Sequence, residues 1–230
     1  MYDVFFLSYD EPDADVNWQR LLKFAPGARR IHGITGILQA HQEAAKQSKT
    51  SSFFVVDGDA WIHDDWDFTS EWFDDIYLPY PYNNKDVSDC VIVWSSVNPY
   101  NGLSYGNGGL KLLPRQLTLD HTGSIDVTTG ISSCVMPLDW VASENRFATS
   151  NLAAFRGAFR ECAKLARGIV GYGNSAKMLA IWTSGSEGEF NEALTSGAVE
   201  GKKYGAGNDP IDKINDYAWL KERYEQTFQQ

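Results

Sequence analysis

The chain has 230 residues, 43% hydrophobic, 13% aromatic and 22% charged, with a formal net charge of −10. Eight Trp, eleven Tyr and twelve Phe exclude a disordered chain, and the longest apolar runs, 4–7 and 90–94, are strand-length and too short to span a membrane. The acidic balance disfavours a dedicated nucleic-acid binder, whose phosphate contacts need clustered Lys and Arg, but leaves room for a local basic face. The opening Met-Tyr-Asp lacks a basic leader segment. Cys90, Cys134 and Cys162 lack metal-ligand spacing and cannot form a full disulfide set. Together these features imply a reduced, cytoplasmic setting.

Residues 3–9 form an apolar run entering a polar turn, Asp10-Glu11-Pro12-Asp13, and are expected to be a buried first strand. Asp15 is expected to cap a helix whose Trp18, Leu21, Leu22 and Ala25 share one face, ended by Pro26-Gly27. Residues 29–32 suggest a short second strand and 37–47 a helix with small residues facing a sheet. Ser52-Phe53-Phe54-Val55-Val56 is the clearest strand. This alternation points to an α/β fold, with a Rossmann-like, mostly parallel central sheet flanked by helices. Residues 90–94 suggest another strand and 98–109 an ordered Gly/Asn loop. Strands are also expected over 110–114 and 124–128. The spacing of Phe155, Phe159, Cys162, Ala163 and Ala166 predicts a helix over 151–167. Beyond it a helix over 186–196, a Gly/Lys loop over 201–208 and a terminal helix over 210–228 are expected. No linker or repeat interrupts the chain, so a single domain is expected.

The strongest chemical signal is Val55-Val56-Asp57-Gly58-Asp59. Two carboxylates one residue apart follow a buried strand at its carboxyl end, where open α/β sheets bind ligands. Both can turn toward one hard divalent cation, and a cation held there can neutralise a diphosphate. A solvated acidic turn is the alternative in a chain with thirty Asp and Glu.

The strand–polar turn opening and the D-G-D after the third strand resemble the GT-A class of nucleotide-sugar glycosyltransferases. Residues 97–112, Asp126-Val127-Thr128-Thr129-Gly130-Ile131 and 155–165 resemble motifs of a family of bacteriophage glycosyltransferases. Some of its tailed-phage members are associated with glycosylating hydroxymethylated pyrimidines in phage DNA. The likeness runs from the first strand to about Arg167. It implies a single GT-A-like domain over 1–230, with a nucleotide-sugar-binding half (1–95) and an acceptor-binding half (96–230). It further implies a UDP-sugar donor, Mn2+ or Mg2+, and a hydroxyl acceptor, foremost 5-hydroxymethylcytosine in duplex DNA. A small molecule or glycan is the alternative acceptor. No membrane and no obligate protein partner are implied.

Carried onto this chain, the resemblance gives Asp57 and Asp59 the metal, with Gly58 between them at the diphosphate. Ser8 and Tyr9 flank the base and ribose, and Lys111 and Arg156 join the donor site. Tyr105, Gly108, Gly109 and Arg160 fall to the acceptor. The residues themselves leave alternatives open. Tyr9 is either a stacking face or a surface tyrosine, and Gly106, Gly108 and Gly109 permit either close backbone approach or a tight turn. Asp126 is either the general base or the cap of its Thr-Thr-Gly turn. Arg156 and Arg160, four apart on one helical face, either grip a phosphate or buttress the helix. His32, His41, His63 and His121 are the only histidines, so no C-terminal histidine completes a metal shell. Lys202 and Lys203 form a small basic spot.

Two other functions fit an acidic strand end. A nucleotidyltransferase shares it but usually carries a Gly-rich basic loop after the first strand, where this chain has Tyr9-Asp10-Glu11-Pro12-Asp13. A non-catalytic nucleotide-sugar-binding module would keep Asp57 and Asp59 without turnover.

Overall fold

The computed structural model describes residues 2–69, 86–106, 109–123, 125–170, 174–185 and 188–228. The chain forms two compact units, Met1–Val97 with Ser104–Asn145, and Asn98–Leu103 with Arg146–Gln230. The sheet-bearing unit therefore extends past the expected division at residue 95, because later strands return to the same sheet.

The first unit contains strands β1 (Asp3–Ser8), β2 (Arg29–His32), β3 (Ser52–Asp57), β4 (Ala60–Ile62), β5 (Val91–Val97), β6 (Ser104–Tyr105), β7 (Leu110–Pro114) and β8 (Val135–Asn145). Their order is β2-β1-β3-β7-β5-β8-β4, with β6 against β5. β2, β3, β5 and β8 run with β1; β7, β6 and β4 run against it. This is the mostly parallel sheet expected. Helices α1 (Ala14–Leu22), α2 (Ile37–Gln47), α3 (Arg115–Asp120) and α4 (Val127–Gly130) complete the unit.

Strand alternation sorts the apolar runs onto two faces. Val4, Phe6, Phe54, Val56, Leu110 and Leu112 join Ala14 and Leu21 of α1 in one core. Phe5, Leu7, Phe53, Val55 and Leu113 join Ala44 and Ala45 of α2 in the other. Burial on both faces explains why the strands read as continuous hydrophobic runs. Arg20 ties α1 to β4: its Nε donates to the Ile62 carbonyl at 2.8 Å, and its guanidinium covers the Phe24 and Trp61 rings.

Several expectations change. Asp13, not Asp15, holds the N-cap position of α1, while Asp15 lies in the first turn and pairs with Arg30. Of the strand expected over 124–128, residue 124 lies outside the described residues, and Val127 and Thr128 open the short helix α4 instead. There the Asp126 side chain accepts from the Thr129 N–H, which favours a turn over extension. Cys90 and Cys134 form a disulfide across the starts of β5 and β8, leaving Cys162 as the free cysteine. Sequence spacing does not reveal this pair, because the parallel register of Val91 with Val135 brings the two together. Among the described residues, no helix is long and apolar enough to cross a membrane.

The second unit contains α5 (Asn151–Arg167), α6 (Ser175–Thr183), α7 (Asn191–Ala206), a 3-10 turn (Ile211–Asn215) and α8 (Tyr217–Phe228). Ser150 caps α5 by accepting from the Ala153 N–H, and Gly168 ends it in the left-handed conformation. The Gly/Lys loop expected over 201–208 is helical to Ala206, and Lys202 and Lys203 sit exposed on α7. The helix expected over 186–196 begins at Asn191; residues 186 and 187 lie outside the described residues. Gly197, Gly201 and Gly205, four apart, face Phe155, Phe159 and Ala163 of α5. A Cβ at any of the three would overlap a backbone carbonyl oxygen of α5. These glycines mark a close helix seam rather than a loop.

That seam decides the sign of a substitution. Ala exceeds Gly in helix propensity by about 1 kcal/mol. At Gly201, however, a methyl meets the rigid backbone of Phe159, and overpacking of this kind costs about 1–3 kcal/mol or more. Gly201→Ala is expected to lower stability by about 2 kcal/mol in urea unfolding. Gly27→Ala, with nothing within 4 Å of its added Cβ, changes it by less than about 0.5 kcal/mol.

Candidate active site

The site is built at the carboxyl end of β3. The β1–β3 register places Leu7 beside Asp57, so the β1 turn lies next to the β3 turn. On the other side of β3, β7 sets Lys111 opposite Val55. Because Leu110 and Leu112 face α1, Lys111 projects to the opposite face, the one that also carries Val55 and Asp57. Its Nζ donates to both carboxylate oxygens of Asp57, at 2.7 and 2.9 Å. The Lys111 side chain is 1% exposed and that of Asp57 30%. Burial raises the Asp57 carboxyl above its ordinary value, Lys111 pulls it down, and Glu11 and Asp126 push it up.

The turn after β3 is held from three directions. The Asp57 N–H donates to the Gly109 carbonyl at 3.0 Å. Asn17, buried on α1, donates through Nδ2 to the Gly58 carbonyl at 2.8 Å. Glu11 folds back over the turn, accepting from the Tyr9 N–H at 2.7 Å. A Cβ on Gly58 would stand 2.8 Å from Glu11 Oε2 and 3.1 Å from the Leu7 carbonyl, so glycine is what lets the two turns touch. Asp59 is thereby crowded. Burial first, then the charges of Asp57 and Glu11, lift its carboxyl from 3.8 to about 7, against an opposing pull from Lys111.

Asp126 stands at the start of α4, where its Oδ1 accepts from the N–H and hydroxyl of Thr129 at 3.1 and 3.2 Å. The turn-capping role is therefore real. Its charge is also felt at Asp57 and at His41. His41 is buried in α2; its Nδ1–H donates to the Ile37 carbonyl at 2.7 Å and its Nε2 meets no partner. Burial, reinforced by Lys111, lowers His41 to about 3, so the ring is neutral at working pH.

A second network sits at the ends of β1 and β2. Ser8 is buried beside His32 in the strand register, and its hydroxyl lies 3.0 Å from His32 Nδ1. Arg30 Nε donates to the same hydroxyl at 2.9 Å, while its Nη1 pairs with Asp15. Tyr9 is 46% exposed, with its phenol oxygen 3.4 Å from Thr35 Oγ1.

Of the expected site residues, the first unit thus gathers Ser8, Tyr9, Asp57, Gly58, Asp59, Lys111 and Asp126. Gly109 packs tightly: a Cβ there would lie 3.0 Å from Ser96 Oγ and 3.4 Å from Ser143 Oγ, and these buried hydroxyls meet at 2.5 Å. Tyr105 of β6 pairs with Ser96 of β5, and Gly108 lies outside the described residues. Arg156 and Arg160 belong to the second unit. The Arg156 guanidinium stacks 4.0 Å from the Tyr217 ring centre; Arg160 covers the same ring and donates to Asn215 at 3.0 Å. In the described structure both arginines brace the terminal segment. Glu11, Asn17, His32 and His41 were not singled out for the site from the sequence. Glu11 had a signal: it lies in the polar turn of the strand that neighbours β3.

The donor set can be tested directly against a divalent cation. Asp57 pairs with the Lys111 ammonium, and Asp59 and Glu11 lie on the adjoining turns; burial first, and then the charges of Asp57 and Glu11, lift the Asp59 carboxyl. Hard oxygen donors in that state suit Mg2+ or Mn2+. Among the described residues, no group of three or more His, Cys, Asp or Glu is placed to hold a metal. Asp57 and Asp59 are the residues that would hold such a cation, with the remaining positions left to water or a ligand.

No known protein family matches the chain, and no curated protein does. Three solved structures are similar in fold. One is a glycosyltransferase involved in glycosylation of the major capsid of PBCV-1, at 14% identity and TM-score 0.31, covering 51% of this chain and 62% of its own. Another is HddC from Yersinia pseudotuberculosis, at 15% identity and TM-score 0.29, covering 53% and 60%. The third is the mannosyltransferase PcManGT from Pyrobaculum calidifontis, solved with GDP-Man and Mn2+, at 11% identity and TM-score 0.44, covering 100% and 88%. The chain thus spans under two thirds of the first two. At these identities and scores the likeness carries no inference about activity.

Two stability measurements probe the site's charges. Between pH 4 and 7 the folded protein keeps a proton on Asp59 that the unfolded chain has released, so stability falls as pH rises and the penalty is complete above about 7. At full burial the shift amounts to about 4 kcal/mol; Asp59 is partly exposed, and screening brings the expected penalty to about 2 kcal/mol. Asp59→Asn should therefore stabilise the metal-free protein by that much at pH 8 and hardly at all at pH 4, read by denaturant melts with EDTA. Lys111→Met strands the Asp57 charge and should cost about 3 kcal/mol at pH 8 in the same assay.

Proposed function

We propose that the chain is a nucleotide-sugar glycosyltransferase that moves a sugar to a hydroxyl acceptor with the help of a divalent cation. The carrying observation is the crowded carboxylate turn Asp57-Gly58-Asp59, backed by Glu11 and by buried Lys111 at the carboxyl end of a central strand. Transfer breaks the bond between the sugar C1 and the diphosphate oxygen and joins C1 to the acceptor oxygen, so charge grows on the leaving diphosphate. A cation bound by Asp57 and Asp59 would neutralise that charge. Lys111 holds Asp57 in place and adds a fixed positive charge beneath it. Asp126 is the carboxylate offered to take the acceptor proton, its orientation set by Thr129. The β1 turn favours this reading over nucleotidyl transfer, because it presents the Glu11 carboxylate where a Gly-rich basic loop would be needed.

For the donor we take a UDP-sugar, and for the acceptor 5-hydroxymethylcytosine or a related hydroxymethylpyrimidine in duplex DNA, both from the sequence resemblance. A DNA acceptor would require the base to be flipped out or met in the major groove. The test incubates the protein with Mn2+, a panel of UDP-sugars and hydroxymethylcytosine DNA, followed by nucleoside mass spectrometry and assay of released UDP. A hexose or pentose adduct that disappears with EDTA, and falls at least about 100-fold in Asp57→Ala, is expected. UDP release without an adduct would keep the glycosyltransferase and redirect the acceptor to a small molecule or glycan. Binding of UDP-sugars without any release would make the chain a non-catalytic module.

A further inference from the structure

We propose a second ligand site in this protein, a cavity for a small phosphorylated polyol such as a sugar phosphate, at the opposite end of β3 from Asp57-Gly58-Asp59. The cavity, about 350 Å3, lies where β3 begins, β7 ends in Pro114 and the 3-10 turn Val87–Asp89 leads into β5. Five residue steps of β3, about 17 Å, separate Ser52 from Asp57, so the proposal stands apart from the glycosyltransferase reading. Arg115 and Lys49 supply the positive charge of the cavity wall. The Arg115 N–H continues the strand pairing to the Ser51 carbonyl at 2.8 Å. Its Nε donates to the Ala45 and Ser48 carbonyls at the end of α2, at 2.9 and 3.0 Å. One edge of the guanidinium is thereby fixed, while its two Nη groups meet no acceptor among the described residues.

The acids near this wall are engaged elsewhere. Asp3 pairs with Arg29 and accepts from the Ser48 hydroxyl and the Lys49 N–H. Asp86 accepts from the Ser88 N–H and hydroxyl, and Asp120 from Gln116. Asp89 lines the same cavity but forms no ion pair with Lys49 or Arg115. In a chain with thirty acidic and twenty basic residues, two cations sharing a cavity without an acid in contact invite an anion from outside. A guanidinium with both Nη groups unengaged grips phosphate through paired N–H bonds, and an ammonium adds a point charge. The cavity has more room than a bare phosphate fills and matches the low end of small-molecule sites, about 300–1,000 Å3. Asp89 and the Ser51 hydroxyl offer acceptors to ligand hydroxyls, and Leu117 offers an apolar surface to a carbon skeleton. The same Asp89 carboxylate opposes a second phosphate, and among the described residues lining the cavity none is aromatic to stack a base. A sugar phosphate therefore fits better than a nucleotide or a nucleic-acid backbone.

The test is calorimetric titration with glucose 6-phosphate, ribose 5-phosphate, glycerol 3-phosphate, glucose and inorganic phosphate, in EDTA so that no cation-dependent site takes part. The proteins are the wild type, Lys49→Gln, Arg115→Lys and Asp89→Asn, with circular dichroism confirming each fold. At least one phosphate ester should bind the wild type about tenfold more tightly than inorganic phosphate, with glucose unbound. Lys49→Gln should weaken that ester about tenfold, and so should Arg115→Lys, which keeps the charge but loses the fork. Asp89→Asn should weaken the ester and leave inorganic phosphate no weaker. Failure of every ester to bind, or inorganic phosphate matching the best of them, overturns the proposal. An ester affinity unchanged in both Lys49→Gln and Arg115→Lys overturns it too, by placing the binding elsewhere. Lys49 is exposed, so its variant gives the answer even where Arg115→Lys unsettles the end of α2.

Discussion

The arrangement turns on one ion pair, Lys111 with Asp57. A lysine in the middle of a central strand has its ammonium shut away from water, and a charge so placed is tolerated only with a counter-charge in hydrogen-bond contact. Asp57 meets that demand in one register. With Lys111 opposite Val55, both side chains project to the same face, two residues apart along β3. A slip of one residue would turn Lys111 into the core of Leu110, Leu112, Phe54 and Trp94. The same register sets the bond from the Asp57 N–H to the Gly109 carbonyl, which anchors the turn carrying Asp59. A structural demand of the sheet thus doubles as the support of the chemistry.

What that support does not do is balance the charge. Lys111 answers Asp57, but Glu11 and Asp59 lie on the same turn system, and Glu11 is brought close because Gly58 has no side chain to hold it off. A protein seeking only stability would have little reason to keep three carboxylates there, since each raises the cost of ionising the others. Excess negative charge concentrated on a strand end is what a cation-dependent site for a diphosphate requires.

The sequence revealed this centre in part. Buried runs on both faces announced the sheet, and the D-G-D after the clearest strand announced the carboxylates; both signals are local and survive without knowledge of contacts. The partners are non-local. Lys111 looked like a residue free to face either way, because its burial depends on β7 inserting between β3 and β5, which no local pattern dictates. Asp126 in a short run of β-branched residues suggested a strand, yet its side chain bonds to the Thr129 N–H and turns the chain into a helix. Gly201 to Gly207 suggested a loop because glycine disfavours helices in isolation; the contact with Phe159 and Ala163 outweighs that propensity, and it is visible only once α5 and α7 are paired. The Cys90–Cys134 pair, likewise, follows from strand register alone.

Strand β1 has the same double character. It lies between β2 and β3, and its last residues serve both polar networks: the Ser8 hydroxyl meets Arg30 and His32 on one side, while the following turn delivers Glu11 to Asp57-Gly58-Asp59 on the other. One network gathers an excess of carboxylates around a single ammonium; in the other, the Arg30 guanidinium is already matched by Asp15. Two strand spacings, about 10 Å, separate β2 from β3. On the proposed reading, a nucleoside diphosphate has the length to engage both ends. A simple phosphate or a free sugar would satisfy one network and leave the other facing water. On that reading, discrimination between ligands would come less from either network than from the single strand that sets their distance.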